Sequence, residues 1–490
     1  QGGEAAPPGQ AGPAPRAAAA QPWWRRPAMI AIGLVALVLV SALVSQLIRA
    51  PAGSGATAAA LPPGVALSHP MLRLHGSNTI GEKLAPMLIQ GFLADEGGTE
   101  IKVVDGSDPV ERNVVARLPK ESGPVAVQLF AHGSATAFAD LEASNTDIGM
   151  ASRPINAAEL ERLTPKLGNL TQPGAEHVVG LDGIAVIVNR LNPVTTLTVE
   201  QVARIFSGET GTWDQVGGAP RPIQVFARDE KSGTRDTFKA LVLERFKLKL
   251  GSAKRLESSS ELSDDVAQNP DAIGFIGLPY VRNARALSIA DERGSQPLQP
   301  TQFTVATEDY PLSRRLFLYT PPQPTDPQAK LTIARFTEFA LSPKGQELVQ
   351  QAGFVPQRAA PERVTAPADA PEGYVRVAAR AQRLSLTFRF RPGSDELDNK
   401  ALRDIERVMA YLQGEPGARV LLMGFADATG SAATNLQLSR DRARSVEAAL
   451  AARGIAVAEV IGLGATMPLA ANDTAPGRQK NRRVEIWVQV

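Results

Sequence analysis

Three stretches of the chain share one pattern, in which a strand-like run is followed by a short loop and then by apolar residues at helical spacing. In the first, Met71–Leu74 alternates apolar and polar residues like a half-buried strand, and Ile80, Leu84 and Leu88 then recur at helical spacing. The same order occurs twice more, so each stretch is predicted to form a strand, a loop and a helix. The three loops read His75-Gly76-Ser77-Asn78-Thr79, His132-Gly133-Ser134-Ala135-Thr136 and Lys231-Ser232-Gly233-Thr234-Arg235.

The rest of the pattern divides the chain into segments. Residues 71–357 alternate strand and helix patterns, and the continuously apolar run Gly183–Val188 is typical of a strand covered on both faces. Residues 383–490 form a smaller α+β pattern, whereas the segments rich in Ala and Pro cannot build a core. The predicted organisation is a disordered cytoplasmic segment at 1–26, a transmembrane helix at 27–48, a linker at 49–70, an α/β domain at 71–357, a linker at 358–382 and an α+β domain at 383–490.

An uncharged apolar run extends from Ala28 to Leu47 and is long enough to cross a bilayer as a helix. Arg25 and Arg26 precede it, so the positive-inside rule places the N-terminal side in the cytoplasm and the bulk of the chain in the periplasm. A cleaved signal peptide is the alternative, because residues 58–60 resemble a cleavage site. The apolar run exceeds a usual signal core, which favours a single-pass anchor in the inner membrane.

The amino-acid composition argues against several classes of binding site and function. The chain has 52 Lys and Arg against 50 Asp and Glu, a net charge of +2, whereas nucleic-acid-binding proteins concentrate basic residues on one face. It contains no cysteine and only four histidines, which show no ligand spacing. We therefore expect no nucleic-acid partner, no disulfide, no metal site and no cofactor.

The three loops combine glycine with small hydroxyl residues at predicted helix starts. Backbone N–H groups in a first helical turn have no partner within the helix, and the helix dipole is positive there, so such loops attract anions. If the three loops converge, they can hold one oxyanion with several oxygens. Ser77, Ser134 and Ser232 could equally be ordinary N-caps of the kind any α/β protein contains.

The motifs of the larger domain, taken in order, resemble the phosphate-binding periplasmic receptors of ABC transporters. That resemblance implies an α/β two-lobed periplasmic binding protein of the type II kind, which closes on its ligand about a hinge near 180–182 and 306–310. The motifs that carry it are Gly76–Thr79, Asp147–Ile155, Leu181–Ala185, Ile205–Gly208, Arg228, Ser232–Arg235 and Ala272–Phe275.

The resemblance also implies the ligand-binding residues. Hydroxyl and backbone N–H groups can surround phosphate in a dry cleft without burying several cations. Arg228 resembles the charged clamp of the family, and its alternative is a surface pairing with Asp229 or Glu230. Well-described receptors carry an acceptor carboxylate where this chain has Arg153, which only donates, so selectivity over sulfate or arsenate stays open, and Arg153 could instead face outward before Pro154. The predicted phosphate ligands are Ser77, Asn78, Thr79, Ser134, Ser152, Arg153, Arg228, Ser232, Gly233 and Thr234.

The last domain resembles the OmpA C-terminal-like family, which binds peptidoglycan non-covalently. The resemblance implies that Asp427 and Arg442 clamp the ammonium and carboxylate of diaminopimelate in the stem peptide, with Asn435 as a lesser contact. The alternative is that Asp427 caps its own turn and Arg442 forms a surface ion pair. The matching motifs are Gly424–Gly430, Asn435, Leu438–Ser439, Arg442–Ala443 and Asn481–Glu485.

These features together favour a membrane-anchored periplasmic phosphate-binding protein that is tethered to peptidoglycan and is not an enzyme. A permease of a phosphate ABC transporter or an envelope sensor is the expected protein partner, since tethering raises their effective concentration. One alternative is a structural link between inner membrane and wall whose middle domain no longer binds phosphate. A phosphatase is the other, but no nucleophile and base or metal spacing supports it.

Overall fold

The computed structural model describes residue 2 and residues 70–108, 110–230, 232–322, 327–391 and 394–490. Apart from Gly2 and Pro70, the predicted cytoplasmic segment, transmembrane helix and first linker therefore lie outside the described residues. Among the helices of the described ranges, none is both long and apolar enough to cross a membrane.

The larger domain alternates strands and helices, as its sequence pattern predicts. Its elements in chain order are β1 (Leu72–Gly76), α1 (Asn78–Gly81), α2 (Leu84–Asp95), β2 (Thr99–Asp105), β3 (Glu111–Arg117), β4 (Pro124–Phe130), α3 (Ser134–Ala143), β5 (Ile148–Ala151), α4 (Ala157–Leu167), β6 (Glu176–Val188), β7 (Thr196–Thr198), α5 (Val199–Ser207), β8 (Gln224–Arg228), α6 (Gly233–Phe238), β9 (Lys254–Leu256), α7 (Ser259–Gln268), β10 (Ala272–Gly277), β11 (Arg285–Ala286), β12 (Ser288–Ala290), α8 (Gln302–Ala306), β13 (Ser313–Tyr319), α9 (Pro327–Leu341) and α10 (Pro343–Gln351).

One sheet runs through both lobes of this domain in the order β2-β3-β4-β1-β5-β13-β6-β10-β8-β9. In the first lobe, β1 lies between β4 and β5 and is parallel to both. Residues such as Leu74, Phe92 and Phe336 fill the core between this sheet and its helices. The segment 105–123 supplies β3, which pairs antiparallel with β2 and β4.

Strand β6 joins the two lobes. Its first part pairs antiparallel with β13 in the first lobe, and its last residues pair with β10 in the second. Gly183 lies at the changeover, where a Cβ would stand 2.5 Å from Val305 Cγ2, so only glycine fits this crossing. The second lobe packs around stacked rings of Phe238 and Phe275, whose centroids are 4.0 Å apart. The chain thus crosses between lobes where the sequence places the hinge.

The terminal domain is an α+β fold in which helices pack against a five-stranded sheet. Leu and Val side chains of the sheet pack under the helices Asn399–Gly414 and Ala432–Ala451, while Tyr374 and Trp487 meet edge-to-face on the other side. The span predicted as the second linker contains the short strand Pro361–Glu362 and the helix Glu372–Ala378. The elements are β14 (Pro361–Glu362), α11 (Glu372–Ala378), β15 (Gln382–Arg389), α12 (Asn399–Gly414), β16 (Arg419–Phe425), α13 (Ala432–Ala451), β17 (Val457–Gly462), α14 (Ala475–Asn481) and β18 (Arg483–Gln489), with sheet order β14-β15-β18-β16-β17.

Candidate functional site

Each of the three predicted loops joins a strand to a helix, at β1–α1, β4–α3 and β8–α6. Ser77 is 1% exposed, and its Oγ accepts a long 3.5 Å hydrogen bond from the Ile80 N–H, so it is in part an N-cap. Ser134 is the first residue of its helix, and Ser232 occupies an N-cap position without a side-chain cap bond. The hydroxyls of Ser134 and Ser232 are therefore not used as caps.

Two of these loops meet inside the first lobe. The Gly133 N–H donates to the Gly76 carbonyl at 2.7 Å. Ser134 Oγ accepts from the Ser152 N–H at 3.0 Å and lies 3.2 Å from Ser152 Oγ. Asn78 borders the same place, because its Oδ1 would lie 3.5 Å from a Cβ at residue 133. The ends of β1, β4 and β5 thus bring hydroxyl and amide groups to one edge of the sheet.

The third loop reaches the first across the cleft between the lobes. Thr79 Oγ1 is a donor to the Gly233 carbonyl at 3.3 Å. A Cβ at Gly233 would stand 2.6 Å from Thr79 Oγ1 and 2.9 Å from its backbone nitrogen. Thr234 follows in the first turn of α6. The lobes therefore touch at Thr79 and Gly233, between the loops predicted to hold the ligand.

Sequence reasoning missed Arg314, which lies at this junction. Its Nη2 donates to Thr79 Oγ1 at 2.7 Å and to the Gly233 carbonyl at 3.3 Å, and its Nε lies 3.4 Å from Asp182 Oδ2. The side chain is only 9% exposed. Burial lowers the pKa of Arg314, and Asp182 acts in the opposite direction. This guanidinium brings positive charge to the point where the two lobes meet.

The two arginines predicted as phosphate ligands are bonded within their own lobes. Arg228 donates from Nε to the Leu256 carbonyl at 3.3 Å and from Nη1 to Ser259 Oγ. Its Nη2 lies 3.7 Å from Asp229, a pairing that the sequence had left open. Arg153 makes two bonds to Glu159, of 2.8 and 2.7 Å. The hydrogen bond to Glu159 raises the pKa of Arg153 against the opposing effect of burial.

The predicted wall site of the terminal domain is arranged around two separate ion pairs. Asp427 accepts from Arg482 Nη1 at 2.7 Å and from the Thr429 N–H at 2.9 Å. Arg442 Nε lies 3.3 Å from Asp395 Oδ1. Burial acts to raise the pKa of Asp427, but the bonds from Arg482 and Thr429 outweigh it and lower that pKa. In the described part of the chain, Asp427 and Arg442 thus have different partners.

Three buried polar atoms at this site have no hydrogen-bond partner within the described residues. They are Nε and Nη1 of Arg442, whose residue is 8% exposed, and Oδ1 of Asn435, whose residue is 4% exposed. The guanidinium of Arg442 also lies over the Phe390 ring, 5.8 Å from its centroid. Free donors and a free acceptor seven residues apart on α13 are suited to a ligand that carries both kinds of group.

The fold and these sites define a two-lobed binding protein joined to a small α+β domain. Residues 107–344 match the PBP superfamily domain, and residues 389–482 match the OmpA family. The chain therefore carries a PBP superfamily domain followed by an OmpA family domain, and the predicted fusion is confirmed.

Several phosphate-binding proteins are similar to the larger domain. Phosphate-binding protein PstS of Pseudomonas aeruginosa is 29% identical over 245 residues, 47% of this chain and 74% of that protein. PstS of Borreliella burgdorferi is 27% identical over 255 residues, 50% of this chain and 85% of that protein. A crystal structure of an ABC-type phosphate transport receptor from Vibrio cholerae has a TM-score of 0.43 and 24% identity, and the match covers 58% of this chain and 99% of that one.

Proposed function

We propose that this chain is a periplasmic phosphate-binding protein, held on peptidoglycan and anchored in the inner membrane, which delivers or senses inorganic phosphate and is not an enzyme. The observation that carries the phosphate assignment is the meeting of all three loops at Thr79, Gly233 and the pair Ser134 and Ser152. Its similar relatives named as phosphate-binding proteins support the same ligand.

The donors at this junction are suited to phosphate. Hydroxyl groups and backbone N–H groups provide many hydrogen bonds while each adds no net charge, and Arg314 adds one cation between the lobes. A ligand that bonds to both lobes favours the state in which they touch, so binding and closure are linked. The proposed ligands are those given by the sequence, with Arg314 as a neighbouring charge.

Titration calorimetry of the full chain with phosphate, sulfate and arsenate from pH 5 to pH 8 tests the phosphate assignment. We expect saturable heat with phosphate, and loss of most affinity in Ser232→Ala. Ser445→Ala, whose exposed hydroxyl bonds only within α13, is the matched control and keeps wild-type affinity. Absence of heat with any of the three anions would favour the structural link between membrane and wall instead.

For the terminal domain, we propose that Asp427, Asn435 and Arg442 bind the diaminopimelate of the peptidoglycan stem peptide. The unpartnered Nη1 of the buried Arg442 is the observation that carries this assignment. In a pull-down with peptidoglycan sacculi, the double variant Asp427→Ala and Arg442→Ala is expected to remain in the supernatant. Arg453→Ala, which removes an ion pair with Glu406 elsewhere in the same domain, should still sediment. Equal sedimentation of both variants would refute the clamp.

The membrane anchor and a protein partner belong to the same proposal. The uncharged run at 28–47 supports a single-pass inner-membrane anchor with the bulk of the chain in the periplasm. A phosphate transporter permease or an envelope sensor is the proposed partner. Extraction of membranes at alkaline pH checks the anchor, because an integral protein stays in the pellet whereas a cleaved one is released.

A further inference from the structure

One face of strand β15, in the terminal sheet, is polar and yet buried. Along β15, Leu384, Leu386 and Phe388 point into the domain core, and the residues between them face the other way. Those alternate residues should be in water, but they are almost fully covered. They are Arg383, Ser385, Thr387 and Arg389, at 4%, 6%, 1% and 5% exposure. Buried polar groups need partners, so this face must be covered by something that supplies them.

The cover is the hinge of the two-lobed domain. Arg383 Nη1 donates to Asp309 Oδ2 at 2.7 Å, and both side chains are 5% exposed. Arg389 Nη2 donates to the carbonyls of Thr307 and Glu308, each at 3.2 Å. The segment that returns the chain from the second lobe to the first is thus bonded directly to β15.

A further ion pair ties the same hinge to the start of α12. Arg315 of β13 bonds through Nη2 to Glu308 at 2.8 Å and through Nη1 to Asp398 at 2.7 Å. Burial acts to raise the pKa of Glu308 and Asp309, but the charges of Arg315 and Arg383 outweigh it and lower both pKa values. Both carboxylates are therefore ionised, and each is matched by a buried guanidinium.

The terminal domain also contacts both lobes away from the hinge. Asn399 Nδ2 donates to the Thr171 carbonyl at 2.8 Å and to Glu176 Oε1 at 3.1 Å, in the first lobe. The Ala471 N–H donates to Asp291 Oδ2 at 3.2 Å, in the second. Asp291 is itself fixed by two bonds from Arg245 of 2.8 and 2.9 Å. The terminal domain is therefore bonded to the two-lobed domain at three places, which are the first lobe, the hinge and the second lobe.

We propose that the hinge face of the two-lobed domain, formed by Thr307, Glu308 and Asp309, is a docking surface for the chain's own OmpA family domain. Docking restrains the hinge in the conformation where Thr79 touches Gly233. Rotation of one lobe against the other would carry Glu308, Asp309 or Asp291 away from bonded partners in the terminal domain. Hydrogen-bonded charge pairs of this kind tolerate little change in geometry. The part of this inference that concerns affinity rests on the proposed phosphate function, whereas the docking itself does not.

Hydrogen exchange of the full chain tests the docking. Arg389→Met keeps the length of the side chain but removes its bonds to Thr307 and Glu308. We expect amide exchange at residues 306–312 to rise about ten-fold or more, which corresponds to about 1.4 kcal/mol. Arg419→Met, at an exposed position on β16, is the control and should leave the hinge unchanged. Unchanged hinge exchange in Arg389→Met would overturn the docking.

A second variant guards against simple unfolding. Asn399→Ala removes the bonds to the first lobe without removing a charged side chain from the hinge, and a smaller increase in exchange at residues 306–312 is expected. If amide exchange in Asn399→Ala rises only near residue 399, the contacts with the first lobe do not restrain the hinge and the inference fails.

Phosphate titration of the same variants tests the coupling. Docking and ligand binding favour the same arrangement of the lobes, so Arg389→Met should bind phosphate about five-fold or more weakly, at the lower end of known allosteric coupling. Unchanged affinity together with faster hinge exchange would overturn the coupling. Absence of phosphate heat in the unmodified chain refutes the proposed function, and the exchange measurement then decides the docking alone.

Discussion

The cleft and the hinge face handle charge in opposite ways. Around Thr79, Gly233 and Ser134, most polar groups are uncharged hydroxyls and backbone amides. On the hinge face, full charges such as Arg383 and Asp309 are buried against each other. A neutral donor that loses a bound group is solvated at small cost, whereas a buried charge that loses its partner while protein still covers it is left unpaired at high cost. The difference suits the cleft to the exchange of the proposed ligand and the hinge face to a contact that persists.

The largest test of this contrast removes one charge from the hinge face. Arg383→Met removes the hydrogen-bonded partner of the buried Asp309 and leaves it only the longer 3.6 Å pairing with Arg389. Breaking a buried pair costs about 3–5 kcal/mol of the free energy of unfolding. Chemical denaturation of the full chain measures it. Lys344→Met is the control, because its ion pair with Asp95 lies at the surface, where water screens the two charges. Equal losses in the two variants would contradict the contrast.

The next largest effect is expected in the pH dependence of the free energy of unfolding. His177 lines a cavity of about 380 Å³ shared with Lys400 and Arg403 of the terminal domain. Burial, and then the charge of Arg403, lower the pKa of His177 to about 4. Between that value and the ordinary pKa of 6.5, the unfolded chain binds the proton more readily. Stability should therefore be highest above pH 6.5 and fall as the pH drops towards 4, by at most about 3 kcal/mol.

Two variants sharpen this measurement. Thermal unfolding of His177→Gln at several pH values should show a weaker dependence over this range. In Arg403→Gln, the pKa of His177, followed by NMR, should rise because a nearby positive charge has been removed. A pKa of His177 that does not respond to Arg403 would mean that the terminal domain does not face this residue.

A smaller effect is expected where the lobes touch. In Gly233→Ala, the new methyl group meets Thr79 atoms less than 3 Å away, so the lobes cannot approach as closely. Overpacking of this kind costs about 1–3 kcal/mol, which predicts phosphate binding weakened by about ten-fold or more. Gly211→Ala, where nothing lies within 4 Å, is the matched control in the same lobe. Wild-type affinity in Gly233→Ala would exclude closure at this contact.

The smallest effect concerns one hydroxyl. Ser134→Ala removes a partner of Ser152 and a proposed phosphate ligand, and a neutral hydrogen bond contributes about 0.5–1.5 kcal/mol. We expect phosphate affinity, measured by calorimetry, to fall by up to about ten-fold with little change in stability. A fall as large as that of a broken buried ion pair would show that the cleft does not rely on uncharged donors.

Sequence patterns predicted the loops and the crossing between lobes because both depend on local order along the chain. The runs before Ser77, Ser134 and Ser232 are strands, and the chain crosses the lobes beside Gly183. Arg314 was missed because an arginine in a mostly apolar strand does not form a repeating pattern along the sequence. The adjacent pair Arg314 and Arg315, in an otherwise apolar strand, was the available signal.

The docking face was missed for a different reason. Alternation along β15 distinguishes two faces but not whether the polar one meets water or another part of the chain. Only the tertiary structure pairs Arg383 with Asp309 and Arg389 with Glu308. An acidic pair in one domain and a row of arginines in another are linked by no local rule.

The polar character of the buried face on β15 also bears on how the two domains could be separated. A domain that is separated from an apolar interface exposes a hydrophobic patch and tends to aggregate. Here the freed surface would present arginines that water solvates well. We expect the halves, produced as separate polypeptides, to stay soluble and to associate reversibly, with an affinity that declines as salt is added.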